Sequence, residues 1–288
     1  MKKRLKFTWL SLAVVLSLII SPWTLNAASP TKPAIVLAAF GTSTAAFETY
    51  SHFELEVKKR FPDHEIRWAF TSHKVRRKVA REKRQQLKDL PTTLRDLKAA
   101  GYSRVAVQSL HIVPGAEWDK KVVQESRKIP GLKVALGKPL LSDNKDQELV
   151  LRALARTFPK DLRNTAVILV GHGSPSPVGE KAYLEFARRL SSRYPNVFLG
   201  TVEGKPTRKE VMAAVKKSGA NTVVLRPFLF VAGEHVAKDI LGHDPESWKS
   251  ELLKQKAYRI EGITRGLGYQ EGIVAIFLDH LARALESF

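Results

Sequence analysis

From Ala34 onward the chain alternates short apolar runs with amphipathic stretches. The runs Ala34–Phe40, Glu65–Phe70, Arg104–Leu110, Ala166–Val170, Val197–Val202 and Thr222–Phe230 have the length of strands buried on both faces. Between them Ala45–Arg60, Lys181–Arg193 and Arg208–Lys217, with a closing stretch Gln270–Glu286, place apolar residues three and four apart, the period of a helix with one buried face. Strands and helices in alternation predict an α/β fold of mainly parallel strands with right-handed crossovers.

The pattern also repeats. Phe40-Gly41-Thr42 matches His172-Gly173-Ser174 at an offset of about 132, and Phe61-Pro62 matches Tyr194-Pro195 ahead of the next strand, which pairs Thr71 with Glu203. Further on, Val105 through Glu117 matches Val223 through His235 at an offset of about 118. The shorter offset predicts a longer helix in the first repeat, within the basic segment Lys74–Lys88. Two similar halves, residues 29–144 and 145–288, meet where Ser142-Asp143-Asn144 reads as a polar turn before a helix. Facing sheets leave a crevice at their carboxyl ends, where α/β proteins bind ligands.

Differences between the halves point to chemistry. His172, Glu203 and His235 each follow a strand of the second half, whereas the first half has Phe40, Thr71 and Glu117. Parallel strands bring such residues to one sheet edge, and two imidazoles with one carboxylate suit a first-row divalent metal with positions left open for a substrate. Singly, each has a plainer role: a turn histidine, a carboxylate paired with Lys205 or Arg208, a histidine packed near Phe228 and Phe230. His111, at the position matching Leu229, and His73, beside Thr71, read as packed turn residues; substrate orientation, a second metal or a bound haem are the alternatives. His52, His64, His243 and His280 read as surface or helix-face residues.

Composition narrows these readings. The absence of cysteine excludes disulfides, thiolate ligands and a thiol nucleophile. Met1 to Ala28 has a basic start (Lys2, Lys3, Arg4, Lys6), an apolar core from Leu10 to Ile20 and a small-residue end, the three parts of an export signal, and so predicts an exported, periplasmic protein with no stable membrane span once the signal is removed. The formal charge is +20, of which the four leader cations leave about +16 on the mature chain. With no groove-reading motif in an exported chain, that excess points to a small polyanion rather than nucleic acid. A nucleotide site is not indicated, since the chain has neither a Gly-x-Gly-x-x-Gly run nor a Walker-type lysine.

Together with Leu110-His111-Ile112-Val113-Pro114-Gly115, Val202-Glu203-Gly204 and Gly233-Glu234-His235-Val236, these features give Ala34 to Phe288 a resemblance to the anaerobic sirohydrochlorin cobaltochelatases of the class II chelatases. The resemblance implies two duplicated Rossmann-like halves with the active site in the cleft between them. It also implies insertion of Co2+ into sirohydrochlorin without nucleotide hydrolysis, with His172, Glu203 and His235 as catalytic and metal-binding residues; Fe2+ suits the same ligands. Sirohydrochlorin is a polycarboxylate, which fits the basic surplus. Arg226, Lys205, Arg208 and Lys238 are candidate carboxylate partners, and Phe40, Phe228 and Phe230 candidate covers for a ring face, core packing being their plainer reading. A ferrochelatase-like enzyme for another porphyrin and an exported carrier of metal or tetrapyrrole are the competing functions. The apolar closing helix is compatible with a homo-oligomer. The leader sets this chain apart from relatives that work in cytoplasmic corrinoid synthesis.

Overall fold

A computed structural model describes residues 30–288; the leader and its cleavage site lie outside the described residues. The first strand sets the layering. Every residue of β1 (Ala34–Ala39) is buried: Ile35, Leu37 and Ala39 face a central core while Ala34, Val36 and Ala38 face an outer one. An unbroken apolar run is what two-sided burial demands.

A single turn of 3-10 helix capped by Thr44 leads into α1 (Glu48–Arg60), followed by β2 (Ile66–Phe70). In place of one longer helix the basic segment supplies an additional one. α2 (His73–Lys83), capped by Ser72, stops at Arg84 with φ 52°, and Asp89 starts α3 (Leu90–Ala99) by accepting from the Thr92 N–H. After β3 (Arg104–Ser109) a π-helical turn, Trp118–Val123, runs into α4 (Gln124–Ser126) and β4 (Lys133–Gly137). All four strands are parallel, in the order β2-β1-β3-β4.

Asp143 then caps α5 (Asn144–Ala155), and the second half follows the same plan. It contains β5 (Thr165–Gly171), α6 (Pro177–Arg193), β6 (Val197–Thr201), α7 (Arg208–Lys217) with a Thr207–Glu210 capping box, and β7 (Thr222–Pro227). A second π-helical turn (Val236–Ile240), α8 (Trp248–Gln255), β8 (Arg259–Gly262) and α9 (Glu271–Glu286) complete the chain. The parallel order β6-β5-β7-β8 reproduces the first sheet. β4 and β8 are the two strands absent from the sequence reading. Lys133, Arg259 and Glu261 are exposed there, so these strands carry no continuous apolar run.

The central core is shared. α1, α5, α6 and α9 fill the space between the sheets, and residues of both halves join one apolar cluster. α9, although last in the chain, packs on β3 and β4 of the first sheet and on α5. His280 of this helix is 2% exposed, not a surface residue: Nε2 lies 3.0 Å from Asp146 Oδ1 and Nδ1 3.1 Å from the Lys138 carbonyl. The halves also meet reciprocally at their strand-end loops. A Cβ at Gly115 would stand 2.8 Å from Ser174 Oγ, and one at Gly233 would stand 2.9 Å from Thr42 Oγ1. Among the described residues no helix is long and apolar enough to cross a membrane.

Candidate active site

β5 delivers His172 to its carboxyl end between two glycines. Gly173 has φ 99°, and its backbone presses so closely on the Glu203 carbonyl that no side chain fits between them. In the same turn the N–H groups of Val202 and Glu203 donate to the Gly171 and His172 carbonyls, each at 2.9 Å. The loops after β5 and β6 are thereby laced together, which fixes Glu203 beside His172. Beneath them the buried Tyr183 hydroxyl accepts from the His172 and Gly173 N–H groups, and burial pushes its phenol up.

His235 comes from the loop after β7, as the residue that opens the second π-helical turn. Its ring lies 4.8 Å from that of His172, centroid to centroid, at 87°. Asp239, four residues on, places Oδ2 2.5 Å from His235 Nδ1. A carboxylate there accepts a hydrogen bond from Nδ1–H and so favours the tautomer whose Nε2 carries the lone pair, the arrangement that orients metal-binding imidazoles in general. His172 is held below the ordinary imidazole range, first by burial and then by its neighbour His235, against the opposing fields of Glu203 and Asp239. It is therefore neutral at pH 7, the form that donates a lone pair to a metal or accepts a proton.

The third expected ligand stands apart. Glu203 is adjacent in the backbone, but its side chain is exposed, and among the described residues no three His, Cys, Asp or Glu side chains are grouped so as to hold a metal ion. The structure brings together an imidazole pair with a nearby carboxylate rather than a closed three-ligand cage. A long carboxylate arm on a surface turn is not fixed by packing.

Of the expected substrate contacts, Phe40 is 42% exposed and its ring centroid lies 6.4 Å from that of His172. Phe228 requires correction: it is 0% exposed and stacked on Phe186 at 5.4 Å. Phe230 is likewise buried, against Phe53 and Phe277. Arg226 also turns inward. It is in register with Leu169, whose face of the sheet meets the central core, and it donates to Thr157 Oγ1 at 2.6 Å. Arg208 is tied to Glu251 at 3.2 Å. Lys205 remains exposed beside Glu203. Lys238 Nζ lies 2.6 Å from Glu234 Oε1, and Lys78, from α2 of the other half, reaches Glu234 Oε2 at 3.3 Å. These two lysines hold the Glu234 carboxyl well down, to about 2.

Asp239 was within reach of the sequence, four residues after a proposed ligand on a helical stretch. Lys78 was not, because 156 residues separate it from Glu234. His111 is an enclosed turn residue, with Nδ1 2.8 Å from Ser109 Oγ and Nε2 3.4 Å from Thr71 Oγ1; burial pushes it down to about 4. His73 is exposed at the start of α2. A cavity of about 390 Å³ lies elsewhere, along the free edge of β2 against Tyr50, Trp68, Phe70 and Leu97, and contains none of these groups.

Two equivalent parallel sheets with a pair of imidazoles at one carboxyl edge define a fold of the chelatase class. SirB from Bacillus subtilis, solved with Fe3+, shares the fold with a TM-score of 0.59 at 19% identity, over 88% of this chain and 95% of that one. The chain belongs to the cobalt chelatase (CbiK) family, whose model matches residues 33–286. The sirohydrochlorin cobaltochelatase CbiKC of Nitratidesulfovibrio vulgaris is 37% identical over 262 residues, 89% of this chain and 92% of that protein. The sirohydrochlorin cobaltochelatase of Salmonella typhimurium is 30% identical over 258 residues, 88% of this chain and 97% of that protein.

Proposed function

We propose that the protein inserts Co2+ into sirohydrochlorin without nucleotide hydrolysis, using His172, His235 and Glu203, after export of the mature chain to the periplasm. The observation that carries this reading is the His172–His235 pair, with ring centroids 4.8 Å apart at the mouth between two sheets. One imidazole is kept neutral by burial and the other is oriented by Asp239.

Insertion must strip water from the incoming cation and remove two pyrrolic protons from the macrocycle. His172 and His235 receive the metal through nitrogen lone pairs, and Glu203, on its exposed arm, swings in to offset the cation's charge. As the metal passes to the ring nitrogens, both imidazoles are left without their cation; His172 accepts one pyrrole proton and His235 Nε2 the other, and both protons are then released to solvent. The exposed ring of Phe40 offers an apolar face to the macrocycle, while Lys205 stands beside Glu203 for an acidic arm.

The test is absorbance-monitored insertion of Co2+ and Fe2+ at substoichiometric enzyme, comparing the mature protein with His172→Ala and His235→Ala. Many turnovers, lost in both variants, are the expected result. A spectral shift limited to one equivalent, and equal in all three proteins, would make this an exported carrier instead. Fractionation of cells with and without residues 1–28 tests export, which predicts periplasmic recovery only when the leader is present.

A further inference from the structure

α2 is the element that the first half possesses and the second lacks, and it borders the site. Ser72, its cap, donates its N–H to the Phe40 carbonyl at 3.2 Å, and Val75 lies against Gly41. Lys74, Arg77 and Lys78 follow on its early turns, with Lys74 and Lys78 four apart and so on one face. From this face Lys78 crosses to the second half and shares the Glu234 carboxylate with Lys238, at 3.3 and 2.6 Å. Glu234 precedes His235 directly. Two ammonium groups from opposite sides of the cleft thus converge on one carboxylate next to a site imidazole. That carboxylate is 46% exposed, so an incoming anion can reach it.

We propose that Glu234 is an internal stand-in for an acidic arm of the substrate. In the empty cleft it holds Lys78 and Lys238 together against their mutual repulsion; when a polycarboxylate macrocycle enters, one of its carboxylates takes both lysines and Glu234 is released. The exposed Lys74 and Arg77 continue the positive surface along α2 for a further acidic group. Lys78 and Lys238 are then substrate-binding residues, Glu234 a positioning residue that competes with the substrate, and the additional helix the part of the fold that selects an acidic tetrapyrrole. This inference rests on the proposed function for the identity of the substrate, but requires only that the macrocycle bind.

The experiment is an anaerobic spectrophotometric titration of the intact protein with metal-free sirohydrochlorin, run beside the turnover assay, for wild type, Glu234→Gln, Lys78→Met, Lys238→Met and the double variant Glu234→Gln/Lys78→Met. Each exchange involves partly exposed ion pairs, so effects of roughly three- to tenfold are expected. Glu234→Gln should tighten binding and lower KM. Each lysine variant should weaken binding and raise KM while kcat changes less than about twofold, and the gain from Glu234→Gln should shrink when Lys78 is absent, since only Lys238 is then left to be freed. Added salt should narrow all these differences. The permethyl ester of sirohydrochlorin should bind every variant alike. If wild type binds and turns over sirohydrochlorin but Glu234→Gln binds no better, or the lysine variants bind no worse, this proposal fails and the function stands. If wild type binds without turnover and the variants still separate as described, the chelatase reading fails and the stand-in survives. No binding by wild type overturns both.

Discussion

The turns after β1 and β5 are built to one plan. Gly41 and Gly173 take φ 102° and 99°, and each N–H meets a buried tyrosine hydroxyl, Tyr50 or Tyr183. The hydroxyls of Thr42 and Thr44 approach at 3.0 Å, those of Ser174 and Ser176 at 3.3 Å, and Thr44 and Ser176 each cap the helical turn that follows. A π-helical turn follows the third strand in both halves, opened by Glu117 in one and His235 in the other. Only the contents differ. Phe40 stands for His172, Thr71 for Glu203, Glu117 for His235 and Lys121 for the supporting Asp239; Glu117 Oε2 is buried without a hydrogen-bond partner. The same scaffold therefore carries an aromatic, a hydroxyl and a carboxylate at one edge and two imidazoles with a carboxylate at the other, so the halves differ in a few positions rather than in the fold.

Exchanging residues between the halves makes this comparison testable. His172→Phe, which installs the residue of the first half, should lower kcat/KM for insertion by about a thousandfold while unfolding remains cooperative, because under the proposed function it removes both a ligand and a base; assay and thermal melt together check it. Gly173→Ala should cost about 3 kcal/mol in urea unfolding, since the added methyl meets the Glu203 backbone at a positive φ. Its counterpart Gly41→Ala, whose methyl meets the Val75 side chain at 3.1 Å, should cost about half as much. Asp239→Ala leaves both imidazoles in place but removes the acceptor that fixes the His235 tautomer, so Co2+ affinity measured by competition titration should fall about 10- to 100-fold.

A further difference between the halves depends on pH and concerns His111. Its imidazole resists protonation down to about 4, whereas in the unfolded chain it takes a proton near 6.5, so the unfolded state binds more protons in that window and native stability falls as pH drops through it. His111→Leu, which imports the Leu229 counterpart, removes that dependence. The loss of unfolding free energy between pH 7 and pH 4.5 should be smaller than in wild type by about 2 kcal/mol, read from urea titrations at the two pH values.

The layout was legible wherever one physical requirement wrote a local pattern. Two-sided burial produced the apolar runs of β1, β3, β5 and β7, and the repeat singled out His172 and His235, whose rings the structure brings together, and Glu203, whose side chain stands apart. Where the requirement was nonlocal, the sequence was silent. Arg226 sits in a strand whose neighbours are apolar, and only the register with Leu169 reveals that it turns into the central core. For Phe228 the sequence left a ring cover and core packing both open, and only its stacking on Phe186 from α6 decides for the core. His280 carries no mark in the sequence of its contact with Asp146, 134 residues away.

The return of α9 to the first sheet has a consequence for the order in which the protein can be made. While the chain is still on the ribosome, β3 and β4 lack their cover, and the partners of Asp146 and of the Lys138 carbonyl have not yet been synthesised. The first half, though earliest to emerge, therefore lacks the cover of its own sheet until α9, a sixteen-residue helix of the second half, has been made. Each half is incomplete without the other, so separating them at the connecting turn would strip both of a shared core.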